Sequence, residues 1–427
     1  MLTKEQNDLL TQTGPGTPGG ELMRRYWQPV ALSEELPVGG APVPVRLLGE
    51  DLVLFRDEQG QPGLLGIHCS HRGADLSYGR LEDGGLRCIY HGWLYDRNGR
   101  CLEQPGEPAG STFHERIRHP AYPCREAGGI ILTYLGAGEA PLLPNYEFLM
   151  APDDRRTSSR AHMDCNYLQG NEGNIDPQHL GILHRINWRR EDNGLGAGAS
   201  TDSLYTDSGP ELQVEATDFG LRIFAVRGAT DGRRYLRISN FIYPNLSAFP
   251  GGGRGEGYSV NWHVPIDDTH HWKFTISFSR DDAFDRNRFR QRSDETLPNY
   301  HLTRTRDNRY GQDRNEMDTE TWAGVGFNFV VHDKLATETA GEIQDRTQEH
   351  TTWSDKAIVM QRLELLKAIG DVQAGEDAPH IARDAAANYF PFLGAVDALI
   401  PASEDWRNEW KRHYAAGREA AAPFGTG

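Results

Sequence analysis

The sequence predicts an α+β fold in two parts, a small all-β unit followed by a larger antiparallel sheet covered by helices. Three observations carry that reading. From Pro42 to Gly136 the chain runs in short β-rich stretches punctuated by Asp, Asn, Gly and Pro turns. Between Leu212 and Phe278, longer stretches alternate apolar and polar residues with a period of two, the pattern of strands with one buried face. After Asp355, the apolar residues Ile358, Val359, Leu363, Leu366 and Ile369 recur at helical spacing.

Taken in order, residues 1–30 make an N-terminal helical segment: a short helix, the turn Gly14-Pro-Gly-Thr-Pro-Gly-Gly20, and a second helix over Glu21–Trp27. Residues 31–140 form the small β unit, with strands around Val43 and Val45, Leu52 and Leu54, Leu64–Ile67 and Gly129–Leu135. The Pro-, Leu- and Gly-rich residues 137–150 lead into the second unit, 141–427. There Leu212–Ala216, Leu221–Val226, Tyr235–Ile242 and the Trp272, Phe274, Ile276, Phe278 run are strands, and Gly251–Gly257 is a loop between strands. A chain of 427 residues exceeds what one small core supports, so two domains are expected.

Composition narrows the function. With 37% hydrophobic and 25% charged residues the chain is that of a folded enzyme rather than a disordered protein. A formal net charge of -16 disfavours nucleic acid and anionic membranes as partners of the general surface. The start, Met-Leu-Thr-Lys-Glu-Gln-Asn-Asp, lacks the pattern of a signal peptide, and no apolar run is long enough to span a bilayer, so a cytoplasmic protein is expected. Of five cysteines, Cys101, Cys124 and Cys165 read as reduced core residues.

The other two belong to metal motifs. Cys69-Ser-His71 and Cys88-Ile-Tyr-His91 flank sixteen residues and offer two thiolates and two imidazoles. This is the pattern of a Rieske [2Fe-2S] centre, in which two neutral histidines on one iron replace two thiolates of an ordinary ferredoxin cluster and raise its potential. Two Cys and two His also suit a tetrahedral zinc site, although one residue between Cys69 and His71 is tighter than the usual zinc spacing of about two to five. Gly73 and Gly92 follow the two pairs, allowing positive φ and close approach of loop N–H groups to a cluster.

A second constellation is Asp176-Pro-Gln-His179-Leu-Gly-Ile-Leu-His184. Two His and one carboxylate on one face of Fe(II), with the other positions open, is the ligand set of non-haem oxygenases. On an ideal helix, five residues turn roughly 500° and leave the rings about 140° apart, so the segment must bend or break for both to reach one metal. The plainer alternatives are two separately satisfied histidines, and Asp176 as an N-cap before Pro177 at the first helical position.

With both motifs in this order, the chain resembles the α-subunits of Rieske non-haem iron aromatic ring-hydroxylating oxygenases over nearly its whole length, and is most similar to their phthalate dioxygenase-like homomeric branch. That closer likeness rests on Met1-Leu-Thr-Lys-Glu-Gln-Asn, Thr13-Gly-Pro-Gly-Thr-Pro, Arg25-Tyr-Trp-Gln-Pro, Tyr90-His-Gly-Trp and Asp345-Arg-Thr-Gln-Glu-His350. The resemblance implies a small all-β Rieske domain and a helix-grip-like catalytic domain. Cys69 and Cys88 would hold one cluster iron and His71 and His91 the other. His179 and His184 would ligate a mononuclear Fe(II) together with Asp333, in Phe329-Val-Val-His-Asp-Lys, where the family commonly has Gln in place of His332; Asp345 and Glu338 are the other carboxylates to weigh. Asp176 would bridge a cluster histidine of one subunit to an iron-bound histidine of its neighbour, which implies a homotrimer or a multiple of it. Ala74 stands where respiratory Rieske proteins carry an extra disulfide cysteine, implying a potential toward the low end of the Rieske range.

Having no dinucleotide fingerprint, the chain would take electrons from a separate NAD(P)H-dependent flavin/iron–sulfur reductase, directly or through a ferredoxin. The implied reaction uses O2 to hydroxylate an aromatic compound, an aromatic carboxylate of the phthalate or benzoate type, with aryl-ether O-demethylation as the alternative on the same scaffold. Arg185, Arg222, Arg227 and Arg237 are the unranked candidates for a carboxylate partner. Two readings of other classes remain: a Rieske electron carrier without a second iron, and a zinc-stabilised binding module.

Overall fold

A computed structural model of the chain describes residues 1–186, 199–229, 232–251, 257–280, 296–408, 410–411 and 415; most of the expected loop Gly251–Gly257 lies outside these. Thr3 caps the first helix, Lys4–Thr11, reciprocally with Gln6. The second helix is Pro18–Arg24, not Glu21–Trp27, because Thr17 accepts from Gly20 N–H and Pro18 takes the first helical position. Tyr26 and Trp27 therefore fall beyond it. There Trp27 donates to Pro141 O (3.0 Å) and Tyr26 stacks on Tyr243, tying the N-terminus to the second unit.

The first unit holds three small antiparallel sheets. One joins Val43–Leu47, Glu50–Arg56, Pro62–Gly66 and Ala121–Tyr122. Another joins Arg80–Glu82, Gly85–Arg87, Leu94–Tyr95 and Cys101–Glu103, and a three-stranded sheet places Ile130–Thr133 between Gln28–Leu32 and Cys124–Ala127. Val53, Phe55, Leu65, Leu76, Leu86, Trp93 and Tyr95 form its own core, which includes Cys69, Cys88 and Cys101.

The second unit is built on an eight-stranded antiparallel sheet. Its path runs Arg156–Met163, His271–Ser279, Gly257–Pro265, Leu246–Phe249, Arg234–Ile242, Gly220–Gly228 and Glu211–Ala216, and Val396–Ile400 also pairs with Arg234–Ile242. From Gly220 to Ser279 the register keeps odd-numbered residues on one face and even-numbered residues on the other. The even face carries Ile242, Tyr258, Val260, Trp262, Val264, Phe274, Ile276 and Phe278. These share one continuous core with Leu10, Leu22, Leu54 and Ile131 of the N-terminal part.

The odd face differs from expectation. An alternating strand normally presents its polar side to water, yet Lys273, Ser277, Ser259, Asn261, His263, Ser239, Ser247 and Arg227 are all buried. The helix Tyr167–Ile175 packs on this face, where a Cβ at Gly170 would lie 2.4 Å from His263 Nδ1. Polar groups taken from water need partners. Asn261 donates to Asn174 Oδ1 (2.5 Å), Asn174 Nδ2 donates to His263 Nε2 (2.6 Å), and His263 Nδ1–H donates to His271 Nε2 (2.9 Å), whose own Nδ1–H meets Cys165 O (2.7 Å). Burial holds both rings neutral, His271 pushed down to about 3.

The C-terminal helix, Lys356–Gln373, is also rotated from the predicted stripe. Its buried residues are Ala357, Gln361, Arg362, Leu365, Ala368, Ile369 and Val372, whereas Leu363 is exposed. Arg362 turns inward because buried Glu172 accepts its Nε–H at 2.6 Å, and Arg346 grips the same carboxylate at 2.8 Å. Among the described residues, no helix is long and apolar enough to cross a membrane.

Candidate metal centres

Two loops of the first unit repeat one hydrogen-bond plan. Cys69 N–H donates to Ala74 O and Gly73 N–H to Cys69 O, both at 2.8 Å; Cys88 N–H donates to Trp93 O (2.8 Å) and Gly92 N–H to Cys88 O (3.0 Å). Both closures need positive φ, 75° at Gly73 and 73° at Gly92, as their glycines predict. The loops bury Cys69 and Cys88 and leave His71 exposed and His91 half-buried. The His71 ring stacks on Trp93 (centroids 4.5 Å apart) and meets His91 edge-on at 4.5 Å.

Burial, and then the adjoining Cys69, push the Cys88 thiol up, so bound metal rather than the protein field must draw off its proton. Desolvation, then His71 and Arg72, hold His91 below its usual value and therefore neutral. Two thiols inside and two imidazoles at the rim suit the two unlike irons of a Rieske cluster. One zinc would need its ligand atoms closer together. Among the described residues only His179, His184 and Asp333 bring three metal-binding atoms within 4.8 Å of one another.

That trio forms the second centre. The helix Tyr167–Ile175 stops before the histidines, and His179–Gly181 is a single 3-10 turn, so the break demanded by the five-residue spacing is a helix end rather than a bulge. Asp176 is correspondingly the C-cap of the preceding helix, not an N-cap; its Oδ1 accepts from Gln178 N–H at 2.8 Å. The two rings meet edge-on, centroids 5.0 Å apart. Asp333, on the helix Phe329–Thr339, sets Oδ1 3.1 Å from His184 Nε2 and 3.9 Å from His179 Nε2. Burial works against its ionisation, yet the Lys273 ammonium and then the His184 and His179 rings hold its carboxyl well below the usual carboxylate range. The other carboxylates weighed for this place lie elsewhere. Glu338 is buried against Lys334, Tyr310 and Asp164 N–H, and Asp345 is exposed, accepting from Thr347.

Groups behind the rings orient them. His179 Nδ1–H donates to Asp176 O at 2.6 Å, leaving Nε2 free. His332, which replaces the expected Gln, stands behind His184: its Nε2 lies 2.8 Å from Gly326 O, and its Nδ1 lies 3.1 Å from Leu183 O and 3.3 Å from His184 Nδ1. Of the four arginines, Arg222 pairs with Glu215 and Arg237 lies 3.6 Å from Asp397, while Arg185 reaches Tyr205 O. Arg227, 1% exposed, donates to Pro177 O (2.6 Å) and Asp207 O (2.9 Å), and its Nη1 has no hydrogen-bond partner among the described residues. Burial pulls it down to about 10. Lys273 has no signal in the sequence, since it sits in an alternating strand that looks half-solvated, and His332 shows there only as the residue in the place of the family's Gln.

Comparison with known proteins gives the family of both units. Residues 26–122 match the Rieske [2Fe-2S] domain and residues 133–422 the LigXa C-terminal domain like family. The chain is 35% identical to the phthalate 4,5-dioxygenase oxygenase subunit of Pseudomonas putida over 97% of its own length and 96% of that protein's. It is 34% identical to the 5,5'-dehydrodivanillate O-demethylase oxygenase subunit of a Sphingobium species over 91% and 85%. In fold it is similar to dicamba monooxygenase bound to dicamba, with TM-score 0.58 and 20% identity over 83% of this chain and 99% of that one. Its cofactors are a Rieske [2Fe-2S] cluster and a mononuclear iron. A chain with these two domains and relatives of this extent belongs to the Rieske non-haem iron oxygenases, as a terminal oxygenase subunit.

Proposed function

We propose that this subunit oxygenates an aromatic carboxylate, with Cys69, His71, Cys88 and His91 holding the cluster and His179, His184 and Asp333 holding the iron. The observation that carries the proposal is the convergence of the last three on one point; Arg227, buried with a free N–H, donates to Pro177 O in the turn that carries His179 and is the candidate partner for a carboxylate. Bound iron supplies O2 activation at the positions these three residues leave open. The chain's own contribution is to keep His179 in the right tautomer, to pack His332 behind His184, to hold Asp333 ionised, and to offer a carboxylate partner on the same sheet face as Lys273. Electrons come from a separate NAD(P)H-dependent flavin/iron–sulfur reductase, directly or through a ferredoxin. Asp176 links the centres of neighbouring subunits in a trimer. The exposed Ile89 and Tyr90, beside His91, offer the apolar contact surface that either partner needs.

The likeness to an O-demethylase supports a second outcome. Dihydroxylation puts both atoms of O2 on the ring and consumes two electrons and two protons. O-demethylation uses the same inputs but releases a phenol, formaldehyde and water. Turnover of phthalates, benzoates and methoxybenzoates with a surrogate reductase separates the two. We expect product from carboxylated rings and none from their uncarboxylated analogues; equal turnover of both would remove the carboxylate reading.

Tyr95 adds a prediction about the cluster. Its O–H lies 3.2 Å from Cys69 Sγ, and a metal-bound thiolate can only accept. That hydrogen bond favours the more negative, reduced cluster. At about 0.5–1.5 kcal/mol for the bond and 59 mV per tenfold, Tyr95→Phe should lower the potential by about 20–65 mV in an EPR-monitored redox titration. An unchanged potential would mean that Tyr95 does not reach the cluster sulfur.

A further inference from the structure

We propose that Lys273 is a positioning residue of the iron centre, holding Oδ2 of Asp333 so that this carboxylate meets the metal through Oδ1 alone. The inference rests on the reading of Asp333 as a ligand. Lys273 stands on the odd face of the strand His271–Ser279 with its side chain 4% exposed, and its Nζ donates to Asp333 Oδ2 at 3.1 Å. The two carboxylate oxygens are thereby divided: Oδ1 faces the two imidazoles at 3.1 and 3.9 Å, and Oδ2 faces the ammonium.

The division resists rearrangement. A buried ammonium without a counter-charge is costly, so Lys273 does not readily give up its carboxylate. Its backbone is also fixed, since the strand is paired along its whole length with Gly257–Pro265 on one side and Arg156–Met163 on the other. For Asp333 to turn both oxygens toward the metal it would have to break that ion pair. A carboxylate confined to one oxygen leaves one more coordination position free, and open positions are what a two-His, one-carboxylate site supplies to O2 and substrate. Lys273 thus does by charge and length what its neighbours Thr275, Ser277 and Asn261, neutral and shorter, cannot.

Cobalt substitution reads the proposal without turnover. Co(II) absorbs more weakly as its ligand number rises, so a released Oδ2 should appear as a loss of d–d intensity. The expected result is that Lys273→Met retains the cluster spectrum and binds Co(II) with a weaker band than wild type, while Lys273→Arg, which can again donate to Oδ2, restores it. Loss of a partner behind a metal ligand typically costs about 10–100-fold in activity, and the same Arg variant should recover part of that. Asp333→Ala is measured alongside. If Asp333→Ala keeps the wild-type Co(II) band, the ligand assignment fails. If it loses the band while Lys273→Met keeps it at full intensity, the ligand stands and the Lys273 proposal alone is overturned. Should Lys273→Met not fold, a crystal structure of the iron-loaded wild type decides: one Asp333 oxygen on the metal and the other on Lys273 is expected, and a carboxylate bound through both oxygens overturns the proposal.

Discussion

Asp333→Ala is expected to strip the mononuclear iron and leave the visible and EPR spectra of the cluster unchanged. The two centres are built from separate parts of the chain. The cluster loops close on themselves through Cys69–Ala74 and Cys88–Trp93 hydrogen bonds, and none of those atoms touches the helix Phe329–Thr339. Asp333 provides the only anionic oxygen among the three converging groups, and its 3.1 Å contact with His184 also sets that ring. Losing a group that merely orients a metal ligand costs about 10–100-fold in affinity or activity, so losing the ligand itself should exceed that range. Lys273 would then lie buried without its carboxylate, a penalty separate from metal loss, so Asp333→Asn, which keeps an acceptor oxygen, belongs beside it. Iron analysis and single-turnover product yield provide the check. Full iron and activity in both variants would move the ligand to another carboxylate.

Asp176→Asn has the second largest expected effect, and on a different step. Both metals should remain, while reoxidation of the reduced cluster by substrate and O2 slows by about 10–100-fold in stopped flow. One oxygen of Asp176 is already used by Gln178 N–H, and the other lies 3.6 Å from His179 Nδ1 with the side chain 22% exposed. The carboxylate is thus anchored on one side and available on the other. Burial opposes its charge, but the His179 ring and the Gln178 N–H hold it below the usual range, so Oδ2 would be a charged acceptor for a ring N–H of the neighbouring subunit, while the Asp176 main-chain O holds His179. Arg227 braces the turn from beneath through Pro177 O. An amide retains an acceptor oxygen but not the negative charge, which is why a slowing rather than a loss is expected. Reoxidation at the wild-type rate would rule Asp176 out as the link.

The parts of this arrangement that repeat a local rule could be read from the residues alone. Cys69, His71, Cys88 and His91 lie close together in sequence on glycine-closed loops, and the alternating strands from Leu212 to Phe278 pair in one antiparallel sheet. Local pattern failed where tertiary contacts reverse its meaning. Lys273, Asn261 and His263 look like the wet side of strands, but Asn174 of the helix Tyr167–Ile175 covers Asn261 and His263, Asp333 meets Lys273, and all three are buried. Leu363 fits the apolar period of its helix yet points to solvent, because Arg362 is drawn inward by Glu172, 190 residues earlier in the chain. Pro18 rather than Glu21 starts the second helix because the Thr17 hydroxyl caps it, a role masked by Gly and Pro residues that equally fit a turn. The His179/His184 spacing is legible as a problem for a helix, and the solution, a helix that ends first, depends on Asp176, the residue before Pro177, leaving helical geometry.

The central claim is that the cluster stores the electron which the His179, His184 and Asp333 centre uses. A single-turnover experiment on the wild-type protein tests it most directly: the cluster is reduced chemically, excess reductant is removed, and substrate and O2 are added without reductase. The account predicts that the cluster band returns only when both are present, and that product forms in step with cluster oxidation. A band that returns at the same rate without substrate and yields no product, or a protein that carries zinc and no visible band at all, would contradict it.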